Sequence, residues 1–242
     1  MGRPAHPSAT LGCVVLRLAT FNIRHARPPG ARSSDPSALG AAVAELDADV
    51  LGLQEVDVAV PRSGGVDLAA VAADAVPGRV VHFAPAIPLD GGNYGNALVV
   101  RGELAQVEDL ALPGAGEPRV LTLARVLVRG VALSVGLTHL QAPRRGRTDV
   151  AREQLPWVLQ RLAERPGPWA LLGDLNLEPP EVDPVLAEFG FVAVEGPPTF
   201  PATRPVRRID WIALRGAAPG RGRVPDVRAS DHRPLVVEVD RP

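Results

Sequence analysis

The chain has 242 residues, 46% hydrophobic and 22% charged, with a net charge of −1. That length can bury a large core without staples, and that charge supplies no global field toward nucleic acid or an anionic membrane. All 26 basic residues are Arg, so a single Arg says little, and the one cysteine, Cys13, excludes an internal disulfide and a Cys-based zinc site.

Residues 1–12 read as a flexible leader, followed by one domain over 13–242. "TLGC" has the outline of a lipoprotein signal, but Met1–Thr10 holds Pro4, His6 and Pro7 and no apolar core. The longest apolar runs reach about half the length that spans a bilayer. A cytoplasmic monomer without a membrane span is therefore expected. In chain order, "VVLRLATFN" reads as a strand and "SSDPSALGAAVAELDA" as a helix capped by Asp35 with Pro36 in its first turn. "DVLGLQE" is a buried strand, "VDLAAVAADAV" a helix capped by Asp67, and "RVVHFAPA" a strand. A Gly/Asn loop, "LDGGNYGN", leads into "ALVVR". "QVEDLALP" and "VLTLARVLVRGVALSVGLTH" supply three strands, the last two turning at Arg129-Gly130. "RRGRTDVAREQLPWVLQRLAER" is a helix with Pro156 at a kink or a start. "WALLGDLN" is a strand, a short helix follows near "VDPVLAEFG", and "RRIDWIALR" and "RPLVVEVD" complete roughly ten strands and three or four helices. Several strands follow one another directly, which favours two packed sheets with helices outside over a doubly wound sheet.

The polar residues at the strand ends form the informative pattern. Asn22 ends the first strand, Glu55 ends "VLGLQE", and His139 ends "VALSVGLTH". Asp174 and Asn176 end "WALLGDLN", Asp210 lies inside "RRIDWIAL", and Ser230-Asp231-His232 precede the last strand. Each piece has a plainer reading: "GDLN" as a tight turn, Asp210 as a surface partner of Arg207 and Arg208, "SDH" as a cap. Six such groups on apolar strands are most easily satisfied if they face one another. Carboxylates, amides and two imidazoles, with no Cys nucleophile and no Gly-rich elbow around Ser230, suit a hard cation, Mg²⁺ or Mn²⁺, and water attack on a phosphate ester.

The pieces "TFNIRH", "LQEVD", "YGNALVV", "THLQ", "GDLN", "RRIDWI" and "SDHRP" resemble the endonuclease/exonuclease/phosphatase superfamily, in its order, over about residues 15–239. The resemblance implies a four-layer α/β/β/α sandwich of two mixed sheets flanked by helices. It implies a Mg²⁺-dependent phosphoesterase acting on a phosphodiester or a phosphomonoester. It implies Glu55 as the principal metal carboxylate, with Asn22 and Asp231 as further ligands or holders of its water. Asp174 would orient or deprotonate the attacking water, and Asn176 would hold a phosphate oxygen. His232, oriented by Asp210, would be a base or charge stabiliser, and His139 would donate to the phosphate or the leaving oxygen. Whether Asp174 or His232 takes the proton stays open. Arg62, Asn96 and Tyr94 are candidates to line the site. The chain departs from exonuclease III-like members in having Arg24 in place of an acid and His139 in place of Tyr. A nuclease is the alternative within the class, though the charge and the 4% aromatic content argue mildly against it. A binding module that has lost catalysis is the alternative of another class; the retention of Glu55, Asp174, Asp210 and His232 speaks against it.

Overall fold

The structure, a computed structural model, describes residues 15–143 and 149–240. The leader over 1–12 and Cys13 lie outside the described residues. Eleven strands are described: β1 (Val15–Asn22), β2 (Val50–Val58), β3 (Val80–Leu89), β4 (Gly92–Val100), β5 (Glu103–Ala111), β6 (Val120–Val128), β7 (Val131–His139), β8 (Trp169–Asp174), β9 (Val192–Ala193), β10 (Asp210–Arg215) and β11 (Leu235–Asp240). Four α-helices accompany them: α1 (Pro36–Leu46), α2 (Leu68–Asp74), α3 (Asp149–Ala163) and α4 (Pro179–Glu188). The expected caps are made: Asp35 accepts from Ala38 N at 3.0 Å and Asp67 from Ala70 N at 2.9 Å. Among the described residues, no helix is long and apolar enough to cross a membrane.

One sheet has the order β11-β1-β2-β4-β3 and the other β5-β6-β7-β8-β10-β9. Pairs β1–β2 and β7–β8 are parallel, the rest antiparallel, so both sheets are mixed as expected. Period-two alternation sorts the core into layers. Leu16 and Leu18 of β1, Leu98 and Val100 of β4, and Ala170 and Leu172 of β8 pack between the sheets. Ala19, Phe21, Leu51 and Leu53 face Leu39, Val43 and Leu46 of α1 and Leu68 and Ala72 of α2. Leu171, Trp211 and Ala213 face Leu155, Leu159 and Leu162 of α3 and Val182 and Leu186 of α4. The result is the α/β/β/α sandwich. Its central strands are buried on both faces, which is why "WALLGD" reads as an unbroken apolar run rather than an alternating one.

One expectation is corrected and two are narrowed. "LDGGNYGN" is not a loop beyond its turn, because β4 starts at Gly92. A Cβ on Gly95 would lie 2.0 Å from Ala84 O, and one on Gly92 2.4 Å from Val58 O, so these glycines serve close strand approach rather than chain freedom. Pro156 lies inside α3 rather than at its start. Helix α4 begins at Pro179, ahead of the predicted "VDPV", where Glu178 N donates to Glu181 Oε2 at 3.0 Å.

Candidate active site

The parallel pairs β1–β2 and β7–β8 end at one edge of the inter-sheet layer. Strands β10 and β11 run antiparallel to β8 and β1, so their beginnings arrive at the same edge. Alternation then aims the side chains. Asn22 continues the row of Leu16 and Leu18, and Asp174 the row of Ala170 and Leu172. His139 continues the row of Val135 and Leu137, and Asp210 the row of Ile212 and Leu214. All four rows pack between the sheets.

Glu55 does not follow from alternation, which would turn it toward α1 and α2 with Leu51 and Leu53. In the β2–β4 pairing, Leu53 is opposite Ala97 and Val56 opposite Gly95, so two residues of β2 share one place on β4. Glu55 sits in this bulge with φ 59°, and the bulge re-aims its side chain into the cluster.

The groups meet as follows. Asn22 Nδ2 donates to Glu55 Oε1 and to Asp174 Oδ2, both at 3.0 Å, and so joins the two sheets. Asn176, at φ 54°, donates its backbone N–H to Asp174 Oδ1 at 2.9 Å and its Nδ2 to Leu140 O at 3.0 Å. His139 Nε2 lies 3.6 Å and His232 Nε2 3.8 Å from Asp174 Oδ2. His232 Nδ1 is 2.9 Å from Asp210 Oδ2, which also accepts from Thr199 Oγ1, and the imidazole packs on Phe200. Asp210 is fully buried, so the reading of it as a surface partner of Arg207 and Arg208 fails. Asp231 Oδ2 lies 3.4 Å from Arg24 Nε.

Burial, reinforced by the nearby Asp210 charge, pushes the Asp174 carboxyl up to about 7. For His232, burial acts downward but is outweighed by the charge and hydrogen bond of Asp210, with Asp174 and Asp231 adding, and the imidazole rises to about 10. A carboxyl and an imidazole with such opposed environments are a mark of functional sites.

Beside Glu55 opens a cleft of about 260 Å³, lined by Arg62, Ile87, Leu89, Tyr94, Glu117 and Arg119. Arg62 is held by a two-pronged bond to Asp57, both contacts 2.8 Å, and lies over the Tyr94 ring. Arg62 and Tyr94 thus line the cleft. Asn96 is buried with its Nδ2 on Val120 O at 3.3 Å and is not among the residues lining the cleft. Sequence reasoning missed Arg119, Thr199 and Phe200. Arg119 abuts the start of β6 as Asn22 and His139 mark the ends of theirs, a signal obscured by the abundance of Arg.

Two oxygen-rich groupings could hold a cation. Ligand atoms of Asp174, Asp210 and His232 lie within 4.8 Å of one another. There His232 Nδ1 and Thr199 Oγ1 occupy Asp210 Oδ2, while the buried Asp210 Oδ1 has no hydrogen-bond partner among the described residues. Glu55 is only half-buried, lines the cleft, and accepts from Asn22 Nδ2. Its hard carboxylate suits Mg²⁺ or Mn²⁺ chemically, while Asn22 Oδ1 accepts from Arg24 N at 3.1 Å and Asp231 Oδ2 faces Arg24 Nε.

The sequence matches the Endonuclease/Exonuclease/phosphatase family over residues 19–232. The chain belongs to that family. Among solved structures, it is similar to an endonuclease/exonuclease/phosphatase from Beutenbergia cavernae, with 27% identity and a TM-score of 0.79 over 93% of this chain and 71% of that one. A mannosyl-6-phosphatase from Bacteroides thetaiotaomicron shares the fold at 17% identity and a TM-score of 0.72, covering 93% of this chain and 99% of that one. So does D. rerio TDP2 complexed with a single-strand DNA product, at 18% identity and a TM-score of 0.71, over 93% and 98%. No functionally curated protein matches the sequence.

Gly173 sets the approach of β8, which carries Asp174, to β7, which carries His139. A Cβ on Gly173 would lie 2.3 Å from Thr138 O. Gly173→Ala is expected to push β8 from β7, lower stability by about 1–3 kcal/mol, and reduce turnover by disturbing the Asp174–His139 spacing. Urea unfolding and a rate assay on the same sample check both effects.

Proposed function

We propose that the chain is a divalent-metal-dependent phosphoesterase that hydrolyses a small phosphate ester by water attack. The observation that supports this most is the bridge from Asn22 to both Glu55 and Asp174, which joins a metal-type carboxylate to a base-type carboxylate across the two sheets. Glu55, with Asn22 and Asp231, would hold the cation, and a bound cation supplies positive charge that polarises a phosphoryl oxygen. Asp174, raised toward neutrality, takes the proton of the attacking water. His232, held by Asp210, presents a cationic Nε2–H to the developing charge. Asn176 and His139 hold the phosphoryl oxygens.

The cleft beside Glu55 is at the lower edge of small-molecule pockets, which run to about 300–1,000 Å³. Its alternation of Arg62, Glu117 and Arg119 suits a compact polar alcohol such as a sugar, the kind of substrate named for the Bacteroides relative, better than a DNA duplex. The test combines calorimetric titration of Mg²⁺ and Mn²⁺ with hydrolysis of p-nitrophenyl phosphate, bis(p-nitrophenyl) phosphate, sugar phosphates and DNA. Glu55→Gln is expected to weaken metal binding at least about tenfold and to lose hydrolysis in parallel. Equal metal affinity in Glu55→Gln and the unaltered chain would refute the assignment of Glu55.

A further inference from the structure

His139 ends β7 with each ring nitrogen against a nitrogen of another side chain. Nδ1 is 2.9 Å from Arg119 Nη1, and Nε2 is 3.2 Å from Asn176 Nδ2. Both cannot be acceptor contacts, because a neutral imidazole has one lone pair on nitrogen and one N–H. A guanidinium only donates, so Arg119 takes the lone pair of Nδ1. The proton must then be on Nε2. Turning the Asn176 amide over is disfavoured, because it would set the amide oxygen against Leu140 O, which now accepts from Nδ2 at 3.0 Å. The tautomer is the same for either amide orientation, since Arg119 alone dictates it. Nε2–H is left facing Asp174 Oδ2 at 3.6 Å, where Asn22 Nδ2 and His232 Nε2–H also converge.

We propose that Arg119 is a positioning residue that fixes His139 as a neutral imidazole with its proton on Nε2, so that His139 acts as a fixed hydrogen-bond donor to a phosphoryl oxygen and not as a general acid. This rests on the phosphoesterase reading for the identity of the acceptor, but not for the tautomer. The arrangement inverts the usual pairing, in which a carboxylate or carbonyl accepts from Nδ1–H and raises the basicity of the ring. The charged groups around the ring are Arg119 from the segment before β6, Asp174 from β8 and His232 from the segment before β11, with Glu117 3.1 Å from Arg119. Burial first, then the charges of Arg119 and His232, hold His139 well below the usual histidine range. A donor that does not ionise keeps one geometry through the reaction, as electrostatic preorganisation requires.

The experiment is ¹⁵N NMR of the imidazoles of the full chain, with His139 assigned by comparison with His139→Gln. The expected spectrum has a protonated Nε2 and an unprotonated Nδ1 for His139, unchanged between about pH 5.5 and 8.5. In Arg119→Met the same ring should titrate in that range or mix tautomers, and kcat on a phosphate ester should fall about ten- to a hundredfold. Arg119→Lys, which can still donate to Nδ1, should recover the Nε2–H tautomer. A Nδ1–H or imidazolium form of His139 in the unaltered chain at neutral pH overturns the proposal. Because the tautomer needs no turnover, Nε2–H in a chain that hydrolyses no phosphate ester would refute the functional reading and leave the fixing role of Arg119 standing.

Discussion

Asp174→Asn is expected to lower kcat on a phosphate ester by about a thousandfold without lowering thermal stability. The loss corresponds to about 4 kcal/mol of barrier at 1.36 kcal/mol per decade. It follows from the placement of the carboxyl: Asn22 Nδ2 and Asn176 N hold its two oxygens, and both imidazole Nε2 atoms face it. An amide in the same volume keeps the shape but cannot take a proton. The stability arm has the opposite sign from most buried-polar substitutions. Burial and the Asp210 charge raise the folded-state value from 3.8 to about 7, so across that window the folded chain binds more protons than the unfolded one. Stability therefore falls as pH rises through it and stays reduced above. Removing the charge relieves that cost and so opposes the loss of one hydrogen bond worth about 1 kcal/mol. Steady-state rates and melting curves at about pH 8, above the raised value, measure the two arms. A variant that is both inactive and strongly destabilised would show Asp174 to be structural.

Trp211→Ala is expected to destabilise the fold by about 3–5 kcal/mol. Trp211 is fully buried on the helix-facing side of β10, with Nε1 donating to Leu177 O at 3.0 Å and the Arg208 guanidinium 4.1 Å from its ring centroid. Truncation leaves a cavity against α4 and an unpaired carbonyl, and neither can be filled from solvent without disturbing the sheet. Trp211→Phe, which keeps most of the apolar volume and loses the N–H, should cost less. Urea unfolding separates the two; a loss below about 1 kcal/mol in Trp211→Ala would mean that this layer repacks.

Much of the fold is legible in the sequence because the strands announce themselves by composition and end on polar residues. Alternation alone predicts that Asn22, Asp174 and Asp210 point between the sheets, and it requires Ile209 and Trp211 to face away from Asp210. Trp211 does so, packing with the helix-side layer while Ile212 packs between the sheets. Glu55 shows the limit: its direction depends on a bulge, and nothing in "LQEVD" announces a positive φ at an acidic residue. Gly92 and Gly95 show another, because glycine chosen for close backbone approach looks the same in sequence as glycine chosen for a turn. Arg119 is hidden by a Lys-free composition that makes every Arg equally ordinary. Its role is set by a partner twenty positions away, across the β6–β7 hairpin, and the turn at Arg129-Gly130 says nothing of which side chains meet at the far end.

The most direct measurement is hydrolysis of bis(p-nitrophenyl) phosphate and p-nitrophenyl phosphate by chelator-stripped protein before and after Mg²⁺ or Mn²⁺ is restored, with Asp174→Asn assayed beside the unaltered chain. The predicted result is turnover that appears with the metal in the unaltered chain and is lost about a thousandfold in Asp174→Asn. Turnover that persists in the stripped protein, or that is equal in both chains, would contradict a metal-dependent phosphoesterase centred on Asp174.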